Sequence, residues 1–261
     1  MTTTMTLPVP TADRRMPGVT FPGIPFNRLL RVEWSKATDT RAARWLLAGV
    51  AATTVGLMLA PILSPSSISQ TYTSYLGYAA IALSILLPVV SILTLTSEWS
   101  QRTVLTTFTQ EPRRMRVVTA KVTVSLMLGA GAAVFGGLVT AAGLGVAAAS
   151  GRTLEADLNA GLLVGFLLYV LLNVMTGVAL GALVHNSAAA IVASFVLPIG
   201  FALLGQPSQL VGEWLDYTTA FNWLLNAQWS GHTAQILVSV VVWVAVPLTA
   251  GLVRTVRREV K

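Results

Sequence analysis

The sequence predicts an all-α, polytopic membrane protein with six transmembrane helices, and three observations carry that prediction. Hydrophobic residues make up 54% of the 261 positions and charged residues 10%, far below the charged share of a soluble domain. Mean hydropathy is +0.71, and the apolar residues gather into runs of about 20 or more, the length a helix needs to cross a bilayer. Lys and Arg fall almost entirely on alternate connections between those runs, the asymmetry that fixes a membrane protein's orientation.

From the N-terminus, residues 1–26 hold five prolines, show no helical period and lack the basic-then-apolar pattern of a signal peptide, so disorder is expected there. Residues 27–44, NRLLRVEWSKATDTRAAR, begin the six-helix domain that occupies 27–261. Leu29, Leu30, Val32 and Trp34 give this stretch an apolar side, and Arg28, Arg31, Lys36 and Arg41 give it cations. That suits an interfacial helix, or a charged flank that only sets topology.

The six spans are read at 43–63, 76–96, 118–149, 160–184, 188–205 and 234–253. The third exceeds what a bilayer requires, so it tilts or projects past the headgroups. Seven basic residues from Arg14 to Arg44 precede the first span. Arg102, Arg113, Arg114, Arg116 and Lys121 surround the second connection, and Arg254, Arg257, Arg258 and Lys261 close the chain. Only Arg152 falls on the other side. Both termini are therefore expected in the cytoplasm, and the net charge of +7 reflects topology and not nucleic-acid binding.

Several chemistries are excluded. Cysteine is absent, and His185 and His232 lie in different segments, so no metal-ligand cluster forms. There is no phosphate-cradling Gly-x-x-x-x-Gly-Lys loop, no Gly-x-Ser-x-Gly elbow and no His-Glu-x-x-His pair. The predicted spans hold almost no ionisable residue, whereas ion-coupled transporters carry their coupling charge within the membrane. A chain of this kind is no enzyme, and if it drives transport the energy enters from elsewhere.

The segment 97–121, SEWSQRTVLTTFTQEPRRMRVVTAK, is the polar exception between spans two and three. Trp99, Val104, Leu105 and Phe108 alternate with Gln101, Arg102 and threonines, and Val104 and Phe108 share a helical face. Pro112 ends that short helix near Gln110. Exposed apolar groups on a short helix below the membrane suit docking to a partner. A basic loop held to anionic headgroups accounts for Arg113, Arg114, Arg116 and Lys121 but not for Trp99 and Phe108.

The order Glu98, Thr103, Leu105, Phe108, Pro112, Arg113, Arg114, Lys121 resembles the loop after span two in the membrane permeases of type-2 ABC (ATP-binding cassette) transporters, in the form common in high-GC Gram-positive bacteria. The stretch EWSKATDTRAARW is similar to that family's connecting helix, GVALGALVHNSAAAIVASFVLP to its junction of spans four and five, and RREV to its basic tail. Arg102 departs from the family's usual Gly, and His185 stands where Arg is common.

The resemblance implies that the loop is a cytoplasmic coupling helix inserted into a groove on a separate ATPase subunit. Glu98, Trp99, Arg102, Thr103, Val104, Leu105, Phe108, Glu111 and Pro112 would then form the contact. It further implies a bacterial cytoplasmic membrane, two ATP-binding subunits, and a second permease copy or paralogue. ATP and Mg would sit on the partner, with no cofactor on this chain and no nucleic acid. Export of an amphipathic drug, lipid-like molecule or peptide follows. The rivals are a sensory or immunity subunit that binds a membrane-active peptide without moving it, and a passive channel or scaffold.

On the outer side, Leu210, Trp214, Tyr217, Phe221 and Leu225 recur at helical spacing in 206–233. They read as an aromatic belt at the interface or as an outer gate partly inserted over a pathway. In span four, Gly161/Gly165 and Gly177/Gly181 are small-residue pairs on nearly opposite sides, suited to two different neighbours. Asn173 is expected to hydrogen-bond a neighbouring helix or to line a path. Pro88 and Pro198 fall within spans and are expected to kink them.

Overall fold

The computed structural model describes residues 24–101, 103, 107, 109, 111 and 113–257, and among these the chain is all-helical. Helix α1 covers Phe26–Thr38. Span one is Arg41–Leu63, made of α2 (Arg41–Leu57) and α3 (Leu59–Leu63). Spans two to five are α4 (Tyr72–Ser100), α5 (Arg114–Ala149), α6 (Ala160–Val184) and α7 (Ser187–Gly205). A π turn at Val211–Leu215 and α8 (Tyr217–Leu225) lead to span six, Thr233–Arg257. Span six is α9 (Thr233–Val240), a second π turn and α10 (Val246–Arg257). All six spans are long and apolar enough to cross a membrane, the architecture of a multi-pass membrane protein.

Short polar side chains start the helices where the runs begin. Thr40, Thr71, Asn159 and Asn186 each accept a backbone N–H from the first turn of spans one, two, four and five, satisfying donors the helix cannot. His185 ends span four in the left-handed region (φ 55°) and Asn186 begins span five, so two residues turn the chain. The expected helix at 27–44 is interrupted in the same way. Thr40 caps a new helix, and α1 stops at Thr38.

Spans two and four form the centre. In each, 61% of the most apolar window is buried, against 6% in span five, which lies against the bundle with most of its surface bare. Leu76, Leu83 and Leu87 of span two pack with Phe166, Val170 and Val174 of span four. The two glycine pairs of span four do face different neighbours. Gly165 meets the Leu224 carbonyl of α8, while Gly177 lies on Pro88 and Ser91 of span two, and Gly181 on Ile92 and Leu95.

On the side away from α1, the connection between spans three and four ties down its neighbours. Arg152 donates to the carbonyls of Pro61 and Ile62, which end span one, and Asp157 accepts from the backbone N–H of Tyr72 (2.7 Å) and Thr73 (3.0 Å), which begin span two. Burial works against the Asp157 carboxylate. The hydrogen bonds from Thr73 and Tyr72 outweigh it and hold its pKa below the ordinary 3.8. A depressed carboxylate contributes stability above its unfolded pKa and loses it as pH falls through the folded value. Thermal unfolding of Asp157→Asn should therefore fall below wild type at pH 7, and the gap should close in strong acid.

Candidate functional site

Two regions concentrate polar groups inside an otherwise apolar molecule. The first is where α1 meets the ends of spans two and three. Leu29 and Glu33 form the buried line of α1, packed on Val117 and Ala120 of span three, and Glu33 is only 1% exposed. Its carboxylate accepts from Lys121 (2.6 Å) and Lys36 (2.7 Å). Glu98 accepts from Lys36 as well (2.7 Å) and lies 3.4 Å from Lys121. Two acids and two bases alternate, so the cluster is neutral. Desolvation opposes the Lys36 ammonium, but the hydrogen bonds to Glu33 and Glu98 outweigh it and raise its pKa above the usual 10.5.

This arrangement corrects several expectations. Lys121 is 4% exposed and neutralised, so it is not a membrane-surface cation. Glu98 and Trp99 belong to the last turn of span two, not to a free loop. Glu98 is buried and hydrogen-bonded by Thr107 from the connection, and Trp99 packs on His185 with ring centroids 4.5 Å apart. His185 in turn bonds Thr255 of span six (2.8 Å). Glu111 is buried against Arg116 (2.8 Å), so it is not presented for docking.

Arg114 and Arg116 are likewise engaged inside the chain. Arg114 donates to the Thr255 carbonyl near the end of α10, and Arg116 also reaches the Ile24 carbonyl. Arg113 and Thr103 are exposed. Arg102, Val104, Leu105, Phe108 and Pro112 lie outside the described residues, as do residues 1–23, Arg258 and Lys261.

The second region is a half-open cavity of ≈ 270 Å³ about half-way along spans two, four and five, lined also by α8. Its wall includes Tyr169 and Asn173 of span four, Tyr217 and Phe221 of α8, and Pro88 and Pro198. Asn173 is 4% exposed, and its amide donates to the Tyr169 carbonyl of its own helix (2.9 Å). It lines the cavity, and among the described residues its hydrogen bond stays within its own helix. Tyr217 is 8% exposed, and Phe221 is fully buried.

The outer stripe read from the sequence is broken. Asp216 leaves the helical region (ψ 101°) and caps α8 through Thr218, so Leu210 and Trp214 belong to a separate turn. Leu210 and Trp214 are exposed, whereas Tyr217, Phe221 and Leu225 are buried. Trp214 is thus set apart from Tyr217 and Phe221, which line the cavity. The signal for this is local: Asp216 with threonines two and three residues on, at 218 and 219, is a helix start placed inside the apparent period.

Glu33 escaped sequence reasoning altogether. An acid in a basic segment reads as surface, although its position between Leu29 and Leu30 on the helix wheel places it on the apolar face. No group of acids, His or Cys fit for a metal ion occurs among the described residues. Compared with protein-family models, curated proteins and solved structures, the chain finds no match.

Proposed function

We propose that this chain is the membrane subunit of a type-2 ABC transporter, exporting an amphipathic molecule with energy from a separate ATPase. The observation that carries the reading is the mid-span cavity. Buried polar side chains line a space half-way across a bundle whose exterior is apolar, which is the form of a binding site for something leaving or crossing the bilayer. The chain has no nucleotide loop of its own, so the work comes from a partner.

Under this reading α1 and the 101–113 connection face the cytoplasm, as the distribution of Lys and Arg favours. The connection docks the ATPase, and Glu98 fastens it to α1 and span three through Thr107, Lys36 and Lys121. Span five carries exposed Val192, Val196 and Ile199 and little internal packing, which suits a second permease subunit beside it.

Pull-down of the ATPase, together with ATP turnover and transport by the reconstituted complex, tests the reading. Phe108→Ala should remove the docking anchor, with a loss of roughly 2 kcal/mol or more in association. Membrane insertion should be unchanged. Arg113→Ala, at an exposed position, is the matched control. Arg114→Ala is unsuitable, because Arg114 holds the end of span six. Full association and coupled transport by the Phe108 variant would overturn the docking assignment. A sensor in place of a transporter would bind the ATPase yet move no cargo.

A further inference from the structure

We infer that the mid-span cavity selects an uncharged ligand with a compact aromatic or alicyclic body and at least one hydroxyl or amide N–H donor. Calling that ligand the cargo rests on the transport reading above; its chemistry rests on the cavity wall.

The wall is mainly apolar, through residues such as Ile85, Phe195, Ile199 and Phe221, and hydrogen-bond acceptors are among its few polar groups. A proline has no N–H, so Pro88 and Pro198 cannot bond the carbonyls four residues before them. Those carbonyls belong to Ser84 and Ser194, and both serines line the cavity. Two different spans thus each place, at a residue of this wall, a carbonyl whose usual helical donor a proline has removed. Asn173 adds its carboxamide, whose amide donates to Tyr169 while no hydrogen bond engages its oxygen among the described residues. Tyr217 supplies a phenol that is more than nine-tenths buried and has no hydrogen-bond partner among the described residues. Polar groups that open on a space this size without a partner in the chain can pair with a ligand that offers the matching group.

No Asp, Glu, Lys or Arg lines the cavity among the described residues. A full charge placed half-way across an apolar bundle loses its hydration, and the nearest carboxylate, Asp216, is not part of the wall and is taken up by Thr218 and Thr219. The faces of Tyr217 and Phe221 return only part of that loss to a cation, and the wall has no Lys or Arg among the described residues to hold an anion. The volume of ≈ 270 Å³ admits a two-ring molecule but not a whole phospholipid.

Photolabelling of the full chain in phosphatidylcholine nanodiscs tests this with three benzophenones of one shape. The probes are neutral 4-(hydroxymethyl)benzophenone, cationic (4-benzoylbenzyl)trimethylammonium and anionic 4-benzoylbenzoate. The neutral probe should label peptides spanning 84–88 and 217–222 saturably, and each charged probe at least tenfold less. Tyr217→Phe and Asn173→Leu keep the shape of the wall and should each weaken saturation roughly three- to tenfold.

Equal labelling by either charged probe would overturn the inference. So would unchanged labelling of the double variant Tyr217→Phe/Asn173→Leu, which would mean simple apolar filling of the space. Should the double variant fail to fold, the three-probe comparison on wild type still decides. The experiment needs neither ATPase nor transport, so a failed pull-down and a failed ligand class are separate results.

Discussion

Lys121→Met should be among the most damaging single substitutions in the chain, costing about 3–5 kcal/mol of stability, the usual penalty for leaving a buried charge uncompensated. Removing the ammonium leaves Glu33, 1% exposed, and Glu98, 8% exposed, sharing only Lys36. Glu33→Met should cost a similar amount, because Lys121 and Lys36 would then share Glu98 alone.

The double variant Glu33→Met/Lys121→Met is different. It removes one acid and one base, leaves the Lys36–Glu98 pair at 2.7 Å, and fills the space with apolar atoms. Replacing a buried ion pair by packed hydrophobic groups is often neutral, so the double should be more stable than either single. Thermal unfolding of the four proteins in one detergent measures the coupling. Additive losses would show that the two residues act independently and that the alternating cluster is not what holds α1 to span three.

That cluster also marks the boundary of what the sequence discloses. Spans are legible because each rests on about 20 consecutive apolar residues, and the run at 160–184 coincides with the helix Ala160–Val184, which Asn159 caps. Local caps are legible too, in principle. Thr40 and Asp216 each interrupt an apparent helical period, and both were read through. Long-range pairing is another matter. Glu33 and Lys121 are 88 residues apart, and nothing local tells a buried ion pair from two surface charges. The cavity is a similar case: Ser84–Pro88 and Ser194–Pro198 share one spacing on two spans, yet only their packing places both around a single space.

Gly177→Ala should be the second large effect, and its sign runs against helix propensity. Alanine is favoured over glycine in a helix by about 1 kcal/mol, so an unobstructed replacement stabilises. Gly131 is unobstructed, with nothing within 4 Å of an added Cβ, and Gly131→Ala should raise the unfolding temperature slightly. At Gly181 the added carbon would sit 3.4 Å from Ile92, Leu95 and Thr96, ordinary contact, and alanine should be tolerated.

At Gly177 it would fall 2.5 Å from the Pro88 carbonyl oxygen and 2.7 Å from the Pro88 Cα, with the Ser91 hydroxyl closer still. Those are mostly backbone atoms on a ring-constrained residue, so spans two and four must separate. Overpacking of this kind costs about 1–3 kcal/mol, more for Gly177→Val. The strain would also reach the cavity, since Asn173 lies one turn along the same face of span four and Pro88 forms part of the opposite wall. Unfolding temperatures for the three alanine variants, measured side by side, should rank Gly131→Ala above Gly181→Ala, with Gly177→Ala well below wild type. A Gly177→Ala protein as stable as the Gly131 variant would mean that spans two and four are not packed this closely.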